Sequence, residues 1–429
     1  METILLCLSL ALIAGLLMSR LAKIIHLPAV TAYLVAGLIM GPFFVGKLGI
    51  EGVGFISLEQ LDSFSIITQT ALGFIAFVIG NEFRLTQLKS MGKKAITIGI
   101  LQAVVTTVVV DIALIALHFA FPQLISLPAA ITLGAIASAT APAATLMVVK
   151  QYKAKGPLTS LLLMVVAIDD AVGLMLFSAS YGVATAIENG SVDVIGIVVE
   201  PILEIVLSLV LGAITGLLLN LAEVYFHSRS KRVSVSVAFV MLTVGLSMLK
   251  FNIGGVHIGF SLLLVCMMTG TVFCNICKTS EELMDRVDRW TAPLNILFFI
   301  ISGAELDLNI LKSPAVLIIG LVYILFRSAG KIFGSFASCK LTNCNKNVTN
   351  NLGITLLPQA GVALGMALTA SQLQDGALVR NIVLFSVLIY ELVGPTLTKY
   401  SLIAAGEIKK HERKSSRQVN THEKTVHKL

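Results

Sequence analysis

Residues 161–177 read LLLMVVAIDDAVGLMLF, a run apolar enough to belong to a bilayer-crossing helix yet carrying Asp169 and Asp170 side by side at its centre. A carboxylate at that depth costs several kcal/mol unless it is hydrated, paired or protonated, so a pair implies a task, and binding a cation or a proton is the obvious one. The surroundings decide the fold. The 429-residue chain is 56% hydrophobic and 13% charged, with a mean hydropathy of +0.92. No soluble domain of this length hides so much apolar surface, so the chain reads as an all-α, multi-pass membrane protein. About 13 spans are expected, near 3–19, 28–41, 65–81, 95–118, 128–149, 158–186, 194–222, 233–249, 258–274, 291–303, 315–339, 350–371 and 379–404.

The net charge of +7 is explained by where the basic residues fall rather than by an anionic partner such as nucleic acid. Arg20 and Lys23, then Arg84, Lys89, Lys93 and Lys94, then Lys150, Lys153 and Lys155, then Arg229, Lys231 and Arg232, then Lys278, Arg286 and Arg289, then Lys340 and Lys346 occupy every second loop. The loops between hold Lys47, Lys250, Lys312 and Arg380. Alternation of this kind predicts a cell-membrane protein with its N-terminus outside and its C-terminus in the cytoplasm. The first apolar run precedes its positive charges and lacks a small-residue cleavage site, so it is read as a span rather than a signal peptide. Six Cys show no metal-ligand spacing and read as small buried hydrophobes. Residues 406–429 are expected to form a short charged tail.

Two pairs of segments repeat at a separation of about 220 residues. Gly80-Asn81-Glu82-Phe83-Arg84 resembles Gly303-Ala304-Glu305-Leu306-Asp307, and Ile168-Asp169-Asp170-Ala171-Val172-Gly173 resembles Ile389-Tyr390-Glu391-Leu392-Val393-Gly394. Seven spans separate the copies, an odd number, so the second copy enters the membrane from the opposite side. The plan is two inverted repeats of five helices, preceded by an extra N-terminal span and loop (1–27), within a membrane domain of 28–405. Such a plan predicts a broken helix at corresponding places. Ser138-Ala139-Thr140-Ala141-Pro142 and Leu357-Pro358-Gln359-Ala360-Gly361 supply them, because proline removes a backbone hydrogen bond and small residues admit another backbone. Unwound segments expose carbonyls and helix ends that charged side chains can neutralise.

At roughly 1.5 Å per helical residue, Asp169, Asp170, Thr140, Gln359, Arg327 and Lys331 reach one depth near the midplane. Successive helical residues point about 100° apart, so one aspartate can meet a cation while its neighbour meets a base. Arg327 and Lys331, spaced i, i+4, share a face and either could be that base; burial disfavours the charged form of Lys and Asp alike, which suits proton exchange. Hydroxyl, amide and carbonyl oxygens at the crossover suit Na⁺, Li⁺ or K⁺, and the candidate cation ligands are Asp170, Asp169 and Thr140. Asp111 reads as a polar residue holding helices together, and Glu391 is divided between that role and transport. Glu82 and Glu305 lie near span ends, where ordering a loop competes with a role as supporting charges; His26, His118, His227 and His257 read as ordinary interfacial histidines.

These residues resemble the monovalent cation:proton antiporter-2 family, with bacterial Na⁺/H⁺ antiporters and K⁺ efflux systems among its members. The marks are Thr140-Ala141-Pro142, Asp169-Asp170, Arg327-x-x-Gly330-Lys331 and the Gly-Asn-Glu-Phe-Arg segment at 80–84. The resemblance implies that Asp170 is the ion and proton carrier, that Asp169 pairs with Lys331, and that a core of spans within 95–186 and 315–404 moves against a dimerisation scaffold. It further implies electrogenic exchange by a homodimer, with no cofactor, no nucleotide-binding domain and no enzymatic activity. Potassium/proton exchange is one alternative. An organic anion:sodium symporter, with Arg327 receiving a substrate carboxylate, is another, and an intramembrane aspartyl protease is disfavoured because it needs aspartates on different helices.

Overall fold

The computed structural model describes residues 2–24, 27–189, 199–226, 228–253, 256–306 and 312–408, excepting the side chains of 81–82, 86–88, 90–91, 189, 253 and 256–258. Within them the chain forms α1 (Glu2–Ile24), α2 (Ala29–Met40), the short α3 (Leu58–Asp62), α4 (Ser65–Ile79), α5 (Leu85–Ala120), α6 (Leu127–Ile136), α7 (Pro142–Tyr152), α8 (Pro157–Asn189), α9 (Glu200–Tyr225) and α10 (Arg229–Ser247). A hairpin of β1 (Phe251–Ile253) and β2 (Val256–Ile258) follows, then α11 (Leu262–Ile276), α12 (Ser280–Trp290), α13 (Ala292–Ala304), α14 (Pro314–Leu341), α15 (Lys346–Thr355), α16 (Gly361–Ala370) and α17 (Gly376–Ala404). Seven of the described helices are long and apolar enough to cross a membrane, and the other apolar helices run 10–17 residues. The expected spans near 128–149 and 350–371 are each a pair, α6 with α7 and α15 with α16.

Three boundaries differ from expectation. Helix α5 starts at Leu85, ten residues before the apolar run at 95, because helix-forming Lys89, Lys93 and Lys94 extend it past the apolar stretch that hydropathy detects. The segment near 258 is a strand: two β-prone runs flanking Gly254-Gly255 pair as an antiparallel hairpin, with Phe251 opposite Ile258. The loop expected at 280–290 is the amphipathic helix α12. It buries Leu283, Met284 and Val287, and Asp288 forms an ion pair with Lys150 of α7. His26, His227 and residues 409–429 of the charged tail lie outside the described residues, as does most of the second repeat segment beyond Leu306.

Packing divides the helices into two bundles. In one, α5 crosses α14 and both are flanked by α6, α8, α15 and α17; in the other, α2 packs on α13, α4 on α11, and α9 and α10 on α11. Contacts between the bundles, chiefly α17 on α2, α7 on α2 and α4, and α8 on α9 and α11, are sparser. The second bundle carries the mark of the repeat. A Cβ on Gly37 of α2 would strike the carbonyl of Ile300 on α13, and one on Gly303 would strike that of Leu34. The other pair is tied in the same reciprocal way, Gly80 against Met267 and Gly270 against Phe77. Only glycine permits so close a backbone approach. Gly80 and Gly303 open the two matching sequence segments, so one crossing occurs twice in one fold.

Candidate functional site

The first crossover is the non-helical stretch between α6 and α7. Ala141, preceding a proline, is pushed into the extended region (φ −82°, ψ 111°), and Pro142 begins α7, where its missing N–H is no loss. The second lies between α15 and α16, which starts at Gly361. The two meet directly: Ala141 N–H donates to the carbonyl of Pro358 at 2.8 Å.

Two cations from α14 hold this junction. The fully buried guanidinium of Arg327 donates through Nε to Ala137 O (3.0 Å), through Nη2 to Ala139 O (2.7 Å) and through Nη1 to Leu357 O (2.7 Å). It also stacks 4.4 Å over the ring of Tyr390. These carbonyls terminate α6 and α15, the negative ends of two half-helices. Its three nitrogens are thus bonded to backbone of both crossovers and one face is covered. Gln359 is a second tie: its amide donates to Ile136 O (3.1 Å) and Tyr323 OH (3.0 Å) and accepts from Ser386 (2.8 Å).

Lys331, one turn further along α14 and fully buried, faces Asp169. Its Nζ donates to Asp169 Oδ2 (2.8 Å), Thr140 Oγ1 (2.9 Å), Gln102 Oε1 (2.9 Å) and the carbonyl of Ser138. Asp169, itself 0% exposed, also accepts from Thr140 Oγ1 (2.5 Å) and from Gln102 Nε2. Both its oxygens are therefore engaged. Gln102 reaches the pair because Gly330 and Gly334 let α14 approach α5 backbone to backbone; a Cβ on Gly330 would stand 2.9 Å from Thr106 Cα.

Asp170 is placed differently. It turns away from the crossover bonds toward the bundle interface, is partly exposed, and accepts, among the described residues, one bond, from Ser261 Oγ of the other bundle at 3.3 Å. Ser261 caps α11 and is itself fixed by its N–H to Ser208 Oγ (2.9 Å). A small cavity beside Asp170 is walled by Ala76, Ile79, Pro142, Leu263 and Met267. The structure thus brings Asp169, Thr140 and Lys331 together and sets Asp170 apart from them, on the adjoining face.

Of the other candidates, Glu391 is buried on α17, and the Glu82 side chain lies outside the described residues. Asp111 packs against Gly134 of α6, with Oδ1 unpartnered among the described residues. His118 bonds through Nδ1 to Ile125 O (2.8 Å), an ordinary loop tie. Sequence reasoning missed Gln102 and Ser261. Gln102 was detectable as a lone amide in an apolar run; Ser261 carries no such signal.

The family model described as sodium/hydrogen exchanger, transmembrane, matches residues 8–403. Among solved structures, that of the sodium proton antiporter MjNhaP1 from Methanocaldococcus jannaschii at pH 8 is 17% identical, with a TM-score of 0.67 over 94% of this chain and 98% of that one. An electron-microscopy structure of the same antiporter gives a TM-score of 0.73 at 16% identity, over 95% and 98%. At such identities the likeness establishes the fold. No curated protein matches the chain.

Proposed function

The chain belongs to the sodium/hydrogen exchanger family, and on that premise we propose that Asp170 is the carboxylate occupied in turn by a proton and by a cation, with Na⁺ as the cation. Exchange of a monovalent cation for protons is the activity of the family. The observation that carries the assignment is the unequal engagement of two adjacent aspartates. Asp169 would have to give up bonds to Lys331, Thr140 and Gln102 before taking an ion, whereas Asp170 has, among the described residues, one bond, from Ser261, and a cavity at its side. A weakly held carboxylate is the one a small ion can compete for.

In this reading Asp169 and Lys331 are the second titrating unit. When a cation sits on Asp170, Lys331 gives up its proton to water and its ion pair with Asp169 opens; when the cation leaves, Asp170 and Lys331 each take a proton and the pair reforms, so more protons than cations cross in a cycle. Thr140 would respond to both halves, since its hydroxyl already bridges Lys331 and Asp169. Alternating access then consists of the α5–α8 and α14–α17 bundle sliding against the other, which is supported by the sparse packing between them.

The protein would reside in the cell membrane as a homodimer surrounded by lipid, N-terminus outside and C-terminus in the cytoplasm, as the alternation of basic loops supports. Apolar side chains on α1 and α9, such as Leu5, Leu17, Val206 and Leu221, are exposed and suit a lipid environment. No cofactor is needed. The test is proton-gradient dissipation in proteoliposomes on adding Na⁺, Li⁺ or K⁺. Asp170→Asn should abolish the response to every cation, and Asp169→Asn should retain exchange while reducing the charge moved per cation. Full activity in Asp170→Asn would sink the assignment.

A further inference from the structure

Helices α10 and α12 enclose an open groove of about 950 Å³, none of whose lining residues belongs to the site at the crossovers. Helix α10 is among the described helices long and apolar enough to cross a membrane, and it begins at Arg229 in one of the basic loops. Val233, Val237 and Met241 follow Arg229 along the groove at intervals of four residues, which keeps them on one side of the helix. The lining therefore changes from charged to apolar over about 18 Å of α10, from the basic loop toward the membrane interior. The other wall is α12. Its apolar stripe, Leu283, Met284 and Val287, is buried against the bundle, while Arg286, Arg289 and Trp290 face the groove. Trp290 is 51% exposed, as suits an aromatic ring at a membrane–water boundary.

Charge narrows the choice of occupant. Three guanidiniums, of Arg229, Arg286 and Arg289, share the groove with two carboxylates, of Glu282 and Asp285, which leaves one positive charge in excess. Arg286 donates to Glu282 at 2.8 Å. Arg229 stands 3.7 Å from Glu282 and Arg289 3.9 Å from Asp285, beyond hydrogen-bond reach. Neither of these two guanidiniums has a hydrogen-bond acceptor among the described residues. An arginine fork matches the oxygens of a phosphate, and two forks are open here. The deep end points to something more than a free anion: Met241 and its neighbour Leu242 are half-exposed, so the groove runs out into the apolar surface of the bundle.

We propose that this groove binds one anionic phospholipid, with its phosphate on Arg229 and Arg289 and an acyl chain along Val233, Val237 and Met241. A free phosphate would leave the apolar length of the groove uncovered, and a zwitterionic lipid would bring a cation of its own to the arginines. The excess of one positive charge matches the single negative charge of a phosphodiester. Bound there, the lipid ties α12 to α10 and takes no part in exchange.

The test is native mass spectrometry and thermal unfolding of the purified full-length protein in detergent, titrated with phosphatidylglycerol or with phosphatidylcholine of the same acyl chains. Phosphatidylglycerol should stay bound and raise the unfolding temperature, and phosphatidylcholine at equal concentration should do neither. Arg229→Gln and Arg289→Gln should each weaken phosphatidylglycerol binding about fivefold. Both side chains are largely exposed, at 77% and 80%, so neither change threatens the fold. Glycerol phosphate, the headgroup without chains, should not displace the lipid. Equal retention of the two lipids, undiminished binding in the Arg229→Gln/Arg289→Gln double variant, or displacement by glycerol phosphate would overturn the proposal. So would a double variant that changes oligomeric state while lipid has no effect, since the groove would then be a contact between copies of the chain.

Discussion

Replacing Arg327 by Met tests whether the guanidinium builds the crossover or handles an ion. The side chain is fully buried, and three of its nitrogens donate to the carbonyls of Ala137, Ala139 and Leu357 at 2.7–3.0 Å. Methionine fills similar volume but donates nothing, leaving three buried carbonyls without those donors at about 1–3 kcal/mol each, or roughly 3–9 kcal/mol together. Loss of the positive charge between the C-terminal ends of α6 and α15 adds to this. Since a domain's whole stability is about 5–15 kcal/mol, Arg327→Met should unfold at much lower temperature in detergent or fail to accumulate. Arg327→Lys keeps the charge as a point donor without the fork, so it should fall between Met and wild type. Thermal unfolding of the three proteins, followed alongside the cation KM of those that fold, decides the matter. A Met variant that melts like wild type and shifts only the KM would refute the clamp and make Arg327 part of the ion path.

Other outcomes follow from the same geometry. Because proton and cation compete for Asp170, exchange at fixed Na⁺ should fall as pH is lowered, and higher Na⁺ should restore it; acid inhibition that no Na⁺ concentration relieves would count against competition. Ser261→Ala removes both the 3.3 Å bond to Asp170 at the bundle interface and the cap of α11. It should cost about 1 kcal/mol of stability, as loss of a helix cap does, and change the cation KM, whereas an unchanged KM would show that Ser261 does not feel the carrier. Glu407 caps α8, accepting from Leu158 N (2.6 Å), Thr159 N (2.8 Å) and Thr159 Oγ1 (2.6 Å). Glu407→Ala should cost about 1 kcal/mol of stability, as loss of a helix cap does, measured by denaturant unfolding in detergent.

Much of the frame was legible because it rests on local chemistry. Apolar length marks the helices, proline and glycine mark the two breaks, and the i, i+4 spacing of Arg327 and Lys331 puts both on the face of α14 that meets the crossovers. What could not be read is what depends on helix rotation and on backbone partners. Arg327 bonds to three carbonyls, which leave no trace in a sequence. Gln102 lies 229 residues from Lys331, and an amide in an apolar run reveals that it is buried but not against what. Ser261 meets Asp170 from the start of α11, just beyond β2, and the sequence reading ran a span from 258 across the end of that strand. Hydropathy likewise missed α12, whose charged face hides a narrow apolar stripe.

The repeat explains the frame but not the chemistry, which arises where the copies diverge. At the 223-residue offset that relates Gly80 to Gly303, Arg327 and Lys331 fall on Val104 and Val108 of α5. The first copy therefore has no cations at those places. At the second matching pair, Asp169 and Asp170 correspond to Tyr390 and Glu391, so the second copy replaces one carboxylate with a phenol, and that phenol ring lies under Arg327. Anions concentrated in one copy and cations in the other force the ion pair of Asp169 and Lys331 to form across the two, with both crossovers between them. The pair travels within the α5–α8 and α14–α17 bundle while Asp170 faces the other, so sliding of the bundles would change the surroundings of Asp170 and leave its charge-paired neighbour in place.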